Sequence, residues 1–192
     1  MEGKLNTYTI VEIGPSINPV FELFRNETFE NIRNGSTYIA VDCDPKELQK
    51  FKDHYGQKGR TLEGDLKDIP LPEESADQVW LMNVFGGFQN TPKKLPDGTL
   101  QYTLGLGGVF EELARIVRRN GVIYVGEIYP PCGNVSWLAD EDYSEYGLGK
   151  KAHKGYDEVR SFMEKMGGRR ALVDSLKEDD DYLPFFLELV KK

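Results

Sequence analysis

Residues 8–15 read Tyr8-Thr9-Ile10-Val11-Glu12-Ile13-Gly14-Pro15, and the fold follows from this stretch. Ile10, Val11 and Ile13 are β-branched and predict a buried strand, which Gly14-Pro15 brings to a stop. Further on, Val20, Phe21, Leu23, Phe24 and Ile32 fall near helical spacing, predicting a helix over 19–32 that Asn34-Gly35 ends. A second strand is expected at 38–41. Asp44-Pro45-Lys46-Glu47 then joins an N-cap, a proline at the first helical position and an early carboxylate, opening a helix that turns Leu48 and Phe51 inward. Residues 60–63 predict a short strand, 69–72 an extended proline-containing linker, and 78–82 another buried strand. After a long glycine- and proline-rich connection, a helical stripe over 109–117 passes through Asn120-Gly121 into a strand at 122–125. Beyond a second long connection over 129–154, Tyr156, Val159, Phe162, Met163 and Met166 predict a helix closed by Gly167-Gly168. The remainder offers strands at 171–176 and 184–190, separated by the acidic Lys177-Glu178-Asp179-Asp180-Asp181.

Strands alternating with helices predict an α/β fold with a mostly parallel sheet covered on both faces. Two final strands with no helix between them predict an antiparallel pair at one edge. The chain has 192 residues, close to one domain, and no repeat or interdomain linker interrupts it. Its 24 Lys+Arg against 32 Asp+Glu give a formal charge of −8, which argues against autonomous nucleic-acid binding because phosphate contacts need a basic face. Cys43 and Cys132 stand far apart, and with only His54 and His153 beside them no metal-ligand spacing arises, so no metal is expected. No apolar run reaches membrane-spanning length and no basic-then-apolar export signal precedes Tyr8, so a cytoplasmic protein away from membranes is expected.

In such sheets a ligand lies beyond the carboxyl ends of the strands. The first strand ends at Gly14, with Ser16 and Asn18 able to hydrogen-bond nearby. The second ends at Asp42, a carboxylate suited to a ribose diol, and the third leads to Gly64-Asp65-Leu66, where an acid can accept from an exocyclic amine. Asn83 follows the fourth strand, and Glu127 and Tyr129 follow the fifth. Each residue singly has a plain alternative as a turn or cap residue; Asp44 is read as a cap.

In order and with suitable gaps, these segments resemble the class I (Rossmann-like) S-adenosylmethionine-dependent methyltransferases. The resemblance rests on Val11-Glu12-Ile13-Gly14-Pro15-Ser16, the second strand ending in Asp42, and Glu63-Gly64-Asp65 followed by Ile69-Pro70-Leu71-Pro72. It continues through Ser75 to Asn83 and then Leu113-Ala114-Arg115-Ile116-Val117-Arg118-Arg119-Asn120-Gly121-Val122-Ile123. It implies one methyltransferase-like domain over 1–192, with a doubly wound, seven-stranded sheet, helices on both faces and a C-terminal antiparallel strand pair. It also implies S-adenosylmethionine as cofactor. Glu12 would help set the loop, Gly14 would pass close to the methionine part, Ser16 would be small enough to fit beside the cofactor it helps bind, and Asp42 would bind the ribose. Asp65 and Leu66 would take the adenine, and Asn83 would lie near the transferred methyl. The family prefers further glycines where this chain has Ser16 and Asn18.

Methyl transfer from a sulfonium needs alignment more than a covalent nucleophile. Tyr129, His153 and Glu127 are candidate bases, none assigned as catalytic. The acceptor stays open, between a small amine-type molecule and a macromolecule. Trp137, Asp140, Glu141, Asp142, Tyr143, Glu145 and Tyr146 either favour a cationic acceptor or form a solvated loop that its aromatics anchor. With the first strand so near residue 1, the pocket is expected to be open, closed by a second copy or partner subunit, or covered by the two long internal connections. Two other readings compete: a non-catalytic binding module on the same fold, and a nicotinamide-dependent oxidoreductase, which lacks its three-glycine spacing here.

Overall fold

Strand β1 (Thr9–Ile13) is buried along its whole length and lies between two parallel neighbours, β2 (Thr37–Asp42) and β4 (Ala76–Met82). The computed structural model describes residues 8–15, 19–24, 37–85, 93–94, 100–101, 106–128, 136–176 and 184–192. The remaining sheet strands are β3 (Arg60–Glu63), β7 (Val117–Glu127), β8 (Leu148–Lys154) and β9 (Phe185–Lys191). The order across the seven-stranded sheet is β3-β2-β1-β4-β7-β9-β8. All pairs are parallel except those of β9, which runs antiparallel to both β7 and β8. A separate two-stranded ribbon joins β5 (Lys93–Lys94) and β6 (Leu100–Gln101).

The period of two along each strand sorts side chains onto two cores. Val79 and Leu81 of β4 face one side, together with Phe110 and Leu113 of the helix α3 (Leu106–Ile116). Trp80 and Met82 face the other, with Phe51 of the helix α2 (Pro45–Tyr55) and Phe162 of the helix α4 (Tyr156–Lys165). The α2 start is as expected: Asp44 Oδ1 accepts from Lys46 N at 2.8 Å, and Pro45 occupies the first helical position. Among the described residues no helix is long and apolar enough to cross a membrane.

Three local expectations need correction. The helix expected over 19–32 is a short α1 (Val20–Leu23) that stops at Phe24, whose φ of −119° and ψ of 143° are extended. Phe24 bridges to Gly168 and packs on Trp80 with ring centroids 5.3 Å apart, so core packing overrides the helical spacing; residues 25–36 lie outside the described set. The strand expected at 171–176 is instead the helix α5 (Arg170–Ser175), with Leu172, Val173 and Leu176 buried at helical spacing. The strand that flanks β9 at the sheet edge is β8, which lies inside the segment read as a connection. Its Lys150, Lys151 and Lys154 disguise the strand, as suits an edge position.

Trp80 is fully buried, its ring tilted at 31° against that of Tyr124 with centroids 4.2 Å apart. Trp80→Ala is expected to cost about 3–5 kcal/mol in urea unfolding; a loss below about 1 kcal/mol would contradict this packing.

Candidate cofactor cleft

The carboxyl ends of β1, β2 and β3 open onto one cleft of about 350 Å³. Gly14 turns the chain away from β1 with φ +66°, a conformation that favours glycine, and its N–H donates to Val41 O at 2.8 Å. A Cβ on Gly14 would meet Val84 Cγ2 at 3.3 Å, so the missing side chain keeps the backbone close to the opposite wall. Asp42 lines the cleft at the end of β2, with Oδ1 accepting from Asp44 N at 2.9 Å. Asp65 and Leu66 line it after β3, and Asp65 Oδ1 holds its own turn by accepting from Lys67 N at 2.8 Å. The walls are apolar, with Ile13, Val84, Phe85 and Val109 among them. Apolar walls with a few convergent polar groups suit a flat heterocycle carrying hydrogen-bonding edges.

Of the residues singled out from sequence, Gly14, Asp42, Asp65 and Leu66 meet in this cleft. Ser16 lies outside the described residues. Glu12 and Asn83 are not among the lining residues and act from behind. The Glu12 side chain is buried beneath the turn, where its Oε2 accepts from Val20 N at 2.8 Å and from the Tyr38 hydroxyl. It therefore spans the loop after β1. Asn83 has φ +55°; its N–H donates to Gly126 O at 2.7 Å and its Oδ1 accepts from Ile128 N at 2.8 Å. The next residues, Val84 and Phe85, form the wall, and Phe85 N donates to buried Glu127 Oε1 at 2.7 Å.

Sequence reasoning missed the cleft positions of Cys43, Lys67 and Val109. Cys43 directly follows Asp42 and was findable from that adjacency. Lys67 and Val109 meet only through tertiary packing: a Cβ at Gly108 would lie 3.7 Å from Lys67 Cδ. His153 lies in a separate surface groove of about 520 Å³, its Nε2 2.9 Å from Glu188 Oε1 and its ring stacked on Phe162. Tyr129 is outside the described residues. In the acidic segment, Tyr143 is buried and its hydroxyl donates to Leu138 O at 2.8 Å, while Lys150 Nζ donates to Ala139 O and Glu141 O. That aromatic anchors the segment to the core, whereas Asp140, Glu141, Asp142 and Glu145 are exposed.

Burial pushes the Glu12 carboxyl up to about 8, against the opposing effect of the Tyr38 and Val20 hydrogen bonds. An acid raised from its ordinary 4.5 favours the folded state fully below that value, and this contribution is lost as pH rises to about 8. Wild type should therefore weaken relative to Glu12→Gln between about pH 5.5 and about pH 8.5 in urea unfolding, and a pH-independent difference would count against the buried titration.

A family model described as a methyltransferase domain matches residues 25–125, more than half of the chain. Among solved structures, the YcgJ protein of Bacillus subtilis aligns at a TM-score of 0.57 and 13% identity, over 97% of this chain and 92% of that one. A TehB-like SAM-dependent methyltransferase from Corynebacterium glutamicum aligns at 0.58 and 15% identity, over 96% and 80%. A chain from the complex of the Haloferax volcanii Trm112 methyltransferase activator with a methyltransferase aligns at 0.55 and 15% identity, over 98% and 86%. No curated protein sequence matches significantly. The solved structures share the fold over nearly the whole chain, and the family match covers β2, β3 and β4 of the cleft but begins after β1. This chain belongs to the class I methyltransferase-domain family, whose membership implies a cofactor of the S-adenosylmethionine type.

Proposed function

We propose that the chain transfers a methyl group from S-adenosylmethionine, held in the cleft at the carboxyl ends of β1 to β4. The observation carrying this reading is the convergence of Gly14, Asp42, Asp65 and Leu66, from three separate strand ends, on one mostly apolar cleft. Asp42 accepts from the ribose hydroxyls and Asp65 from the adenine amine, with Leu66 against the adenine edge. Gly14 lets the backbone run beside the methionine part, and Ser16, two residues further along the sequence, is proposed to bind the cofactor with it. Glu12 fixes that loop from beneath, and Asn83 fixes the wall formed by Val84 and Phe85. When bound, S-adenosylmethionine supplies an electrophilic methyl on sulfur, so the protein's work is alignment and water exclusion. Phe85 and Val109 contribute apolar surface for both.

The test is calorimetric titration with S-adenosylmethionine and S-adenosylhomocysteine. Binding by wild type that weakens at least about tenfold in Asp42→Ala would support the site. No heat from either ligand in folded protein would overturn it and leave a binding module on a methyltransferase fold.

For the acceptor, exposed Asp140, Glu141, Asp142 and Glu145 support an amine-type or basic molecule, because clustered carboxylates raise the local concentration of cations. At low salt a cationic amine should be turned over faster than its neutral isostere, with the gap closing as salt rises. Equal turnover would remove charge from the account of acceptor choice.

A further inference from the structure

The linker Ile69-Pro70-Leu71-Pro72 joins the adenine side of the cleft to β4, and its prolines leave only Ile69 and Leu71 with backbone N–H groups. Such a segment cannot satisfy itself through a strand ladder, yet Ile69 and Leu71 are buried at 1% and 8% exposure. Most of its partners come from α3. Glu112 Oε1 accepts from Ile69 N at 2.7 Å. Arg115 donates from Nη1 to Leu71 O at 2.7 Å and from Nη2 to Ile69 O at 2.9 Å. The two side chains are themselves joined side-on, with Nε 2.7 Å from Oε2 and Nη2 2.6 Å from Oε1. The guanidinium fork suits this double task, and it holds the Glu112 carboxyl below its ordinary range.

The bracket reaches the cleft. Pro70, between the two held residues, packs on Gly64 so closely that a Cβ there would lie 2.5 Å from Pro70 Cδ. Gly64 N donates to Asp42 O at 3.1 Å, and the next residue is Asp65. Contacts therefore run without a gap from the Arg115 guanidinium to the backbone that separates the two cleft carboxylates.

We propose that Glu112 and Arg115 are positioning residues for the cofactor: by holding Pro70 against Gly64 they fix the spacing of Asp42 and Asp65 that a nucleoside must match. This rests on the cofactor reading above. A simple fold staple would cost stability when broken. A positioning pair also sets how well the site tells adenine from a base of the same shape with a different edge.

The experiment measures affinities of wild type, Arg115→Met and Glu112→Gln for S-adenosylhomocysteine and for S-inosylhomocysteine, which carries a carbonyl oxygen in place of the exocyclic amine. Thermal unfolding checks that each variant is folded, and near-isosteric Glu112→Gln serves if Arg115→Met is not. Wild type is expected to prefer the adenosyl ligand by about tenfold or more. Folded variants should lose most of that preference, with adenosyl binding weakened at least about fivefold and inosyl binding changed less than about twofold. Equal weakening towards both ligands, or an intact preference in the folded variants, would overturn the proposal. A wild type that binds both equally removes the amine-reading role of Asp65 and the proposal with it. A wild type that binds neither overturns the cofactor reading itself, which is seen before any substitution is made.

Discussion

Everything else in the molecule is arranged around the burial of β1. Its five residues are all buried, and its backbone groups are consumed by parallel ladders to β2 and β4. Parallel neighbours cannot be joined by tight hairpins, so the chain must cross over the sheet faces between strands. The crossovers cover both faces and produce two separate cores, one under α3 and one under α2 and α4. With both faces closed, the region beyond the strands' carboxyl ends is left to receive a ligand, and the cleft lies there.

A common device holds the segments around that cleft. Glu12, Glu112 and Glu127 carry the buried carboxyl groups among the described residues. Each accepts a backbone N–H from a segment near the cleft: Glu12 from Val20, Glu112 from Ile69 and Glu127 from Phe85. Burying a carboxyl group is costly unless hydrogen bonds compensate it, so such groups are tied to a defined geometry. Here they tie irregular backbone, which lacks a ladder of its own, to the rigid strands β1 and β7 and to α3. The cleft walls are thus positioned by regular elements although most are themselves loop residues.

The antiparallel end of the sheet meets a different constraint. β8 is an edge strand, and its lysines are occupied: Lys150 with the carbonyls of Ala139 and Glu141, Lys151 near Glu188, and Lys154 near Asp140. These charges protect an exposed edge from unwanted pairing. They also explain why the strand was hard to see in the sequence, since the residues that make it safe lower its apparent strand character. The acidic segment before it has a matching double nature. Tyr143 enters the core against Phe110 at 4.7 Å, while the neighbouring carboxylates remain in water.

The parallel strands, the capped start of α2 and the order of the strand-end residues are written in the amino-acid pattern. Those signals are local: β-branched runs, an Asp-Pro cap and glycines at turns act within a few residues. Gly14, Asp42, Asp65 and Leu66 were legible for the same reason, because each lies at or within three residues of the end of a recognisable strand. Tertiary structure alone decided that α1 stops at Phe24, since the aromatic ring gains more from Trp80 and Phe186 than from another helical turn. It decided that 171–176 is helical and that β8 completes the sheet, because short apolar or lysine-rich stretches take whichever form their neighbours can pack. It also decided that Glu12 lies under the loop, and that Arg115, far along the chain, grips the linker beside Asp65. Hydrogen bonds between residues more than forty positions apart leave no local pattern to read.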